Sequence, residues 1–241
     1  VMQAVTGIHR NAVLPSFNSK PLNDPRNGKL AINEKAPAFG RKAVIFATCF
    51  GNYNNTDIGE ASIKVLAKNG VTTEIVYPRC CGMPQLEQGE ISAVAKSAKA
   101  TAEELLKWIE LDYDVISLVS SCSLMLKFEW PLIVPENDAV KRLSARTFDI
   151  SEYLIGIDKN EGLVEGMKPI KGGVAVHMAC HARAQNIGQK AAELLRLIPD
   201  TEISVIERCS GHGGSWGVMK KNFEVALKIG TPVYREIKKI A

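Results

Sequence analysis

Six cysteines are the residues of this sequence whose type and spacing most clearly indicate chemistry. They are Cys49, Cys80, Cys81, Cys122, Cys180 and Cys209. Cysteine thiolates bind soft metals and iron–sulfur clusters, and they also form disulfides. Two of the six are adjacent, and a disulfide between neighbouring cysteines closes a strained ring. Because no secretion signal is recognisable either, metal binding or catalysis is favoured over a disulfide framework.

Short strand patterns precede the first four cysteines. Residues 42–48, 71–77 and 114–119 are predicted strands; the first is short, apolar and followed by turn residues, and the second stops before Pro78. Helical patterns at 57–69 and 90–111 separate them. Strands that alternate with helices predict an α/β fold with right-handed crossovers and a mostly parallel sheet flanked by helices.

The predicted strand ends bring these four thiols together. Cys49 follows the first strand, Cys80 and Cys81 follow the second, and Cys122 follows the third. Because the carboxyl ends of parallel strands share one edge of the sheet, we expect the four thiols to meet there. Four thiolates suit a tetrahedral zinc or a [4Fe–4S] cluster. The wide spacing favours the cluster, since zinc ligands usually come in close pairs, and zinc remains the alternative.

A similar arrangement follows later in the chain. Strands are predicted at 173–178 and 202–207, with helices at 184–197 and 223–239. Cys180 and Cys209 follow the two strands. Thirty residues lie between Cys49 and Cys80, and twenty-eight lie between Cys180 and Cys209. The second unit lacks a third strand, so we expect it to be incomplete at its C-terminus.

Histidines lie beside the second cysteine pair. His181 and His212 are candidates to complete a mixed cysteine and histidine site for iron or zinc. For His177 we favour a supporting hydrogen bond to a sulfur or a loop carbonyl. The second site is therefore predicted to have Cys180 and Cys209 as its thiol ligands, with His181 and His212 as possible additions.

The predicted organisation has four parts. Residues 1–40 contain several prolines and form an irregular N-terminal arm or linker. Residues 41–130 form a first cysteine-rich domain, and residues 131–170 form a connecting segment with a short helix near 138–144. Residues 171–241 form the second cysteine-rich domain.

Composition and charge give no sign of nucleic-acid binding or of a membrane helix. The net charge of +4 over 241 residues is that of an ordinary, slightly basic surface and does not indicate nucleic-acid binding. No apolar run approaches the 18 or more residues of a membrane helix. We therefore expect a cytoplasmic protein without a transmembrane segment, with a peripheral position at the inner membrane face as the alternative.

Four motifs resemble a known family. CCGMP at 80–84, SSCSLMLKFEWP at 120–131, HMACHARA at 177–184 and CSGHGGSWG at 209–217 are similar to the cysteine-rich CCG domains of iron–sulfur oxidoreductases. The nearest likeness is to the C-type, iron–sulfur subunit of anaerobic glycerol-3-phosphate dehydrogenase. The glycolate oxidase iron–sulfur subunit and the B-type subunit of heterodisulfide reductase belong to the same family.

The resemblance implies an electron-transfer subunit. Such subunits pass electrons between a flavoprotein dehydrogenase partner and quinone or another acceptor, in some cases through a membrane or quinone-linked subunit. Two alternatives stay open: a disulfide reductase of the heterodisulfide reductase type, and a structural module that binds zinc.

The sequence departs from the family pattern in three places. Cys122 is not followed by a CxxC ending, which leaves four cysteines at the first site and favours an ordinary [4Fe–4S] cluster. Ser210 stands where the second cysteine of the later CC pair is expected. The chain also ends at Ala241, before the family's last cysteine motif.

Overall fold

A computed structural model describes residues 2–28 and 30–240. The chain divides into two compact units, of which the larger comprises Phe17–Gly166 and the smaller comprises Val1–Ser16 together with Met167–Ala241. Each unit contains a parallel sheet. The predicted α/β class, with two mostly parallel sheets and an irregular N-terminal region, is confirmed.

Twelve α-helices are present in the described residues. In chain order they are α1 (Met2–Thr6), α2 (Cys49–Tyr53), α3 (Thr56–Lys68), α4 (Met83–Glu87), α5 (Ile91–Glu110), α6 (Ser120–Leu124), α7 (Trp130–Ile133), α8 (Asp138–Ala145), α9 (Ile150–Asn160), α10 (Cys180–Ala184), α11 (Lys190–Leu195) and α12 (Phe223–Ile240). A π-helical segment, Met125–Glu129, joins α6 to α7. A single 3₁₀ turn, Trp216–Val218, precedes α12.

The sheet of the larger unit has four parallel strands. They are β1 (Lys42–Phe46), β2 (Thr72–Val76), β3 (Asp114–Ser117) and β4 (Thr147–Asp149), in the spatial order β2-β1-β3-β4. Strand β1 is central, and its residues from Ala43 to Phe46 are fully buried. The last residue of β1, Phe46, pairs in register with Val76 of β2 and Ser117 of β3. Three strand ends therefore lie side by side at one edge.

Helix α5 covers one face of this sheet. It is amphipathic because Val94, Ala98, Ala102 and Leu105 recur at helical spacing, and all four are buried. These side chains belong to the same apolar cluster as the fully buried Trp130. The core of the larger unit thus reaches the edge where the strands end.

Strand β4 and helix α9 lie in the segment that the sequence assigns to a connection. Strand β4 pairs with β3, so this segment completes the sheet. Asp149 caps α9 by accepting a hydrogen bond from the Ser151 N–H, and Glu152 accepts one from the Asp149 N–H. This capping box is a helix signal that the sequence contains. Strand β4 was missed because three residues are too few to show alternation.

The segment before β1 packs closely on the larger unit. Leu22 is 1% exposed, and its N–H donates to the Asn52 carbonyl oxygen at 3.0 Å. Asn18 donates its N–H to the Tyr53 carbonyl oxygen at 2.7 Å. No helix forms among the described residues of this segment, as expected for the irregular N-terminal region. Residues 1–16 differ: they contain α1 and belong to the smaller unit.

The smaller unit is built on two parallel strands, β5 (Val174–His177) and β6 (Ile203–Ile206). His9 joins the N-terminal segment to this unit by stacking on Phe223, with ring centroids 4.1 Å apart. The helix predicted at 184–197 is wrong in extent, because only α11 forms there. Asn186 and Gly188 adopt left-handed backbone conformations with φ of 53° and 79°, which interrupt a helix.

None of the helices among the described residues has the length and apolar character needed to cross a membrane.

We predict that Gly59→Ala destabilises the larger unit. A β-carbon at Gly59 in α3 would lie 2.1 Å from Leu22 Cδ2, so the buried leucine must move. Overpacking of this kind lowers the free energy of unfolding by about 1–3 kcal/mol. Urea unfolding measures the change.

Gly156→Ala is the matched control, because Gly156 is also helical and has no atom within 4 Å of the added carbon. That variant should gain about 0.5–1 kcal/mol from helix propensity. Leu22→Ala should reduce the cost of Gly59→Ala; additivity of the two substitutions would contradict the proposed clash.

Candidate metal centre

Four cysteines stand just beyond the aligned ends of β1, β2 and β3. Cys49 lies three residues after Phe46, Cys80 four residues after Val76, and Cys122 five residues after Ser117. Cys81 follows Cys80 directly. Because the three end residues are paired in register, the connections that follow them start from neighbouring points.

The first connection is a tight entry into helix α2. Thr48 caps that helix by accepting a hydrogen bond from the Gly51 N–H at 3.0 Å, which makes Cys49 the first helical residue. Thr48 has φ of 59° and is fully buried. A β-branched residue in this region is strained, and such strain is typical of functional sites.

The second connection turns at Cys80, Cys81 and Gly82. Gly82 adopts φ of 87°, a left-handed conformation that favours glycine. The indole Nε1 of Trp130 donates a hydrogen bond to the Cys81 carbonyl oxygen at 3.0 Å. This buried bond ties the turn to the segment that follows Cys122.

The third connection carries Cys122 inside α6. The Cys122 N–H donates to the Val119 carbonyl oxygen at 2.9 Å, which closes the first turn. The hydroxyl of the next residue, Ser123, lies 3.3 Å from an oxygen of Asp149 at the end of β4. Burial raises the pKa of the Asp149 carboxyl. The π-helical segment that follows is a geometry often found near functional sites.

The four sulfurs form one connected set. Hydrogen-bonding contacts join Cys49 to Cys80, Cys80 to Cys81, and Cys81 to Cys122. Cys81 and Cys122 are buried, whereas Cys49 and Cys80 are half-buried. The set therefore runs from the apolar core to the surface of the unit.

The contacts make one thiol much more acidic than its neighbours. Hydrogen bonds from the Cys49 and Cys81 thiols, together with the Gly82 N–H, lower the pKa of Cys80 far below that of a free thiol. The pKa of Cys49 is raised because its proton is held by Cys80, and burial adds to the effect. The pKa of Cys81 is raised by its contacts with Cys122 and Cys80 and by burial.

Two tyrosines stand at the half-buried side of the set. Burial raises the pKa of Tyr77, and electrostatic interactions with Cys49 and Cys80 raise it further, which places the phenol near those sulfurs. The Tyr53 ring meets Tyr77 edge-on, with centroids 5.5 Å apart. Aromatic rings therefore lie beside the more accessible thiols.

The donor set suits a thiolate-bound group. All four side chains are soft sulfur donors, and the N–H groups of Phe50, Gly82 and Met83 are directed at sulfurs of Cys49, Cys80 and Cys81. Such N–H groups stabilise the negative charge of a metal–thiolate group. Across residues 2–28 and 30–240, no three histidine, cysteine or acidic side chains surround a point as they would for a single metal ion.

The region that contains the four cysteines matches a known domain family. Residues 43–127 match the CCG cysteine-rich domain, a stretch that contains all four cysteines. This part of the chain is a CCG domain. It includes β1, β2 and β3 and ends within the π-helical segment, before Trp130.

The relatives of the whole chain include iron–sulfur proteins. The C-type subunit of anaerobic glycerol-3-phosphate dehydrogenase from Escherichia coli is 27% identical over 240 residues, covering 98% of this chain and 59% of the relative. Lactate utilization protein A of Geobacillus thermodenitrificans is 29% identical over 193 residues, covering 73% and 74%. An uncharacterized iron–sulfur protein of Methanocaldococcus jannaschii is 30% identical, covering 78% and 35%. The chain thus spans little more than half of the E. coli relative.

Outside the CCG domain, Cys180 and Cys209 occupy equivalent positions in the smaller unit. His177 of β5 pairs with Ile206 of β6, and each cysteine lies three residues beyond its strand. Both thiols are exposed. The Gly211 N–H donates to the Cys209 sulfur at 3.4 Å. The equivalence supports the predicted repeat, and a ligand role for this pair stays a prediction.

The histidines of the smaller unit have different positions. His177 Nε2 donates to the Arg208 carbonyl oxygen at 2.8 Å, which is the supporting hydrogen bond expected for it. His212 lines a cavity of about 490 Å³ together with Phe223, Leu227 and Tyr234. His181 lies in α10 directly after Cys180. The structure gathers neither His181 nor His212 with the two cysteines into a metal-binding group within the described residues.

Sequence reasoning missed two residues that shape the CCG domain site. Trp130 lies in the apolar core, and nothing in the sequence shows that its indole reaches a carbonyl 49 positions away. The strand pattern at 42–48 includes Thr48, which instead caps α2. Threonine is one of the preferred residues at a helix N-cap, so that part of the signal was available.

We predict that Cys80 reacts before Cys49 and Cys81 in the reduced, metal-free protein. Its lowered pKa keeps it a thiolate at a pH where Cys49 and Cys81, whose pKa values are raised, stay protonated. Iodoacetamide labelling at pH 6, followed by peptide mass spectrometry, should find Cys80 modified at least about tenfold faster than Cys49.

Cys49 is a suitable comparison because it is buried to a similar extent. Cys49→Ala removes one hydrogen-bond donor, so the pKa of Cys80 should rise and its labelling at pH 6 should slow. Equal labelling rates for Cys49 and Cys80 in the native protein would contradict this assignment of charge.

Proposed function

We propose that this chain is an iron–sulfur electron-transfer subunit of a dehydrogenase. One observation carries the proposal: four thiols from three neighbouring strand ends form a single contacting set inside a CCG domain. The names of the relatives support it, since they include a dehydrogenase subunit and iron–sulfur proteins. We infer that Cys49, Cys80, Cys81 and Cys122 hold one [4Fe–4S] cluster, which four cysteine ligands typically bind.

When bound, such a cluster accepts and releases single electrons. The residues around the site have three tasks. The four thiolates bind the irons, the backbone N–H groups of Phe50, Gly82 and Met83 offset negative charge at the sulfurs, and the apolar core around Cys81 and Cys122 excludes water. Burial and hydrogen bonds to sulfur together set the reduction potential of a cluster.

The half-buried side of the site is where electrons would enter and leave. Cys49 and Cys80 lie on that side, beside the rings of Tyr53 and Tyr77. A partner that docks there comes nearer to the sulfurs than one that docks over the buried Cys81 and Cys122. We propose a flavoprotein dehydrogenase subunit as the donor and quinone, or a membrane or quinone-linked subunit, as the acceptor.

The smaller unit is less suited to bind a metal than the four-cysteine site. Cys180 and Cys209 are exposed, and the position after Cys209 is a serine. We propose that the first site alone binds a cluster in this chain and that it works on the cytoplasmic side. Zinc at the four cysteines is the competing occupant.

Metal analysis tests the proposal. Protein prepared or reconstituted without oxygen should be brown and contain about four iron and four sulfide per chain, the content of one [4Fe–4S] cluster. After reduction it should give the EPR spectrum of that cluster. A colourless protein with about one zinc per chain would overturn the proposal.

A pair of matched variants locates the ligands. Cys81→Ser should lose most of the iron and sulfide, because it removes a buried ligand. Cys180→Ser, the same chemical change at the smaller unit's exposed cysteine, should retain the wild-type content. An equal loss in both variants would contradict the assignment of the cluster to the first site, and circular dichroism would show whether each variant is folded.

A further inference from the structure

One peptide group of the larger unit has a polar partner on both sides. Its carbonyl belongs to Cys81, and its N–H belongs to Gly82. The carbonyl oxygen accepts the indole N–H of Trp130 at 3.0 Å. The N–H faces the sulfur of Cys80 and lowers the pKa of that thiol.

The planarity of the peptide couples these two bonds. In a trans peptide the C=O and the N–H are held in one plane and point in opposite directions. A bond that fixes the carbonyl therefore also fixes the direction in which the N–H points. Polar groups in such a chain polarise one another, so the indole strengthens the interaction of the N–H with the sulfur.

The surroundings keep the indole in place. Trp130 is fully buried, and it packs in the same apolar cluster as Cys81, Cys122 and Met125. It begins α7 directly after the π-helical segment, where its own N–H bonds to the Met125 carbonyl oxygen. The segment therefore leads from the ligand Cys122 to the residue that anchors the ligand turn at Cys80 and Cys81.

We propose that Trp130 is a positioning residue that aims the Gly82 N–H at the Cys80 sulfur and thereby raises the reduction potential of the bound cluster. The inference rests on the proposed function for its effect on the cluster. The hydrogen-bonded chain itself exists in the metal-free protein and is testable there. Loss of the indole donor weakens the N–H bond to sulfur, and the more negative, reduced form of the cluster loses the greater share of stabilisation.

Trp130→Phe removes the donor and keeps an aromatic ring. Redox titration followed by EPR should show a more negative midpoint potential than in the wild type. We expect the ratio of reduced to oxidised cluster at a fixed potential to fall about threefold to tenfold, which at tenfold corresponds to about 59 mV for one electron. In the metal-free protein, NMR should show the Gly82 amide exchanging with solvent at least about threefold faster.

Trp108→Phe is the matched control. Trp108 packs against the same cluster, and its buried indole nitrogen has no hydrogen-bond partner among the described residues. This variant should leave both the potential and the Gly82 exchange unchanged. An equal change in both variants would overturn the proposal, because it would reflect packing alone.

Two further outcomes separate the inference from the proposed function. If Trp130→Phe fails to fold, 3-benzothienylalanine at position 130 keeps the shape of the indole and replaces the N–H by sulfur, and the same two changes are expected. If the wild type binds no cluster, the proposed function fails, and amide exchange still tests the hydrogen-bonded chain. Unchanged exchange and unchanged potential in a folded variant would overturn the role of Trp130.

Discussion

The parallel pairing of β1 with β2 and β3 is the constraint on which the candidate site depends. It aligns Phe46, Val76 and Ser117 at one level, so that three connections begin side by side. The cysteines follow at offsets of three to five residues, within reach of one another. A slip of one residue in either pairing would turn alternate side chains to the opposite face and displace the thiol set from the apolar core.

Much of this arrangement could be predicted from the sequence. The strands around Val44 and Ile116 contain short apolar runs, the strand around Ile75 stops before Pro78, and the intervening helices have clear apolar faces. Once a parallel sheet is predicted, the convergence of Cys49, Cys80, Cys81 and Cys122 follows from the positions of the strand ends. The burial of Cys81 and Cys122, with Cys49 and Cys80 nearer the surface, could not be predicted, because it depends on how α5 and the segment after Cys122 pack.

Interactions between distant residues were the main source of error. Strand β4 is only three residues long and is stabilised by its pairing with β3, which no local pattern shows. The helix predicted at 184–197 breaks where Asn186 and Gly188 take left-handed conformations. The bond from Trp130 to Cys81 joins residues that only the tertiary structure brings together. Local sequence patterns predict helices and strands well, and they predict the contacts between distant helices and strands poorly.

The π-helical segment between Cys122 and Trp130 limits where residues can be inserted into this protein or deleted from it. The segment places the indole against the Cys81 carbonyl at a fixed number of residues from the Cys122 thiol. Insertion or removal of one residue there would rotate the indole by about 100° around the helix axis, away from its acceptor. The exposed turn at Pro135 and Glu136 carries no such bond to the cysteines and lies between two helices. Insertions and deletions should therefore be tolerated in that turn and selected against in the seven residues that separate Cys122 from Trp130.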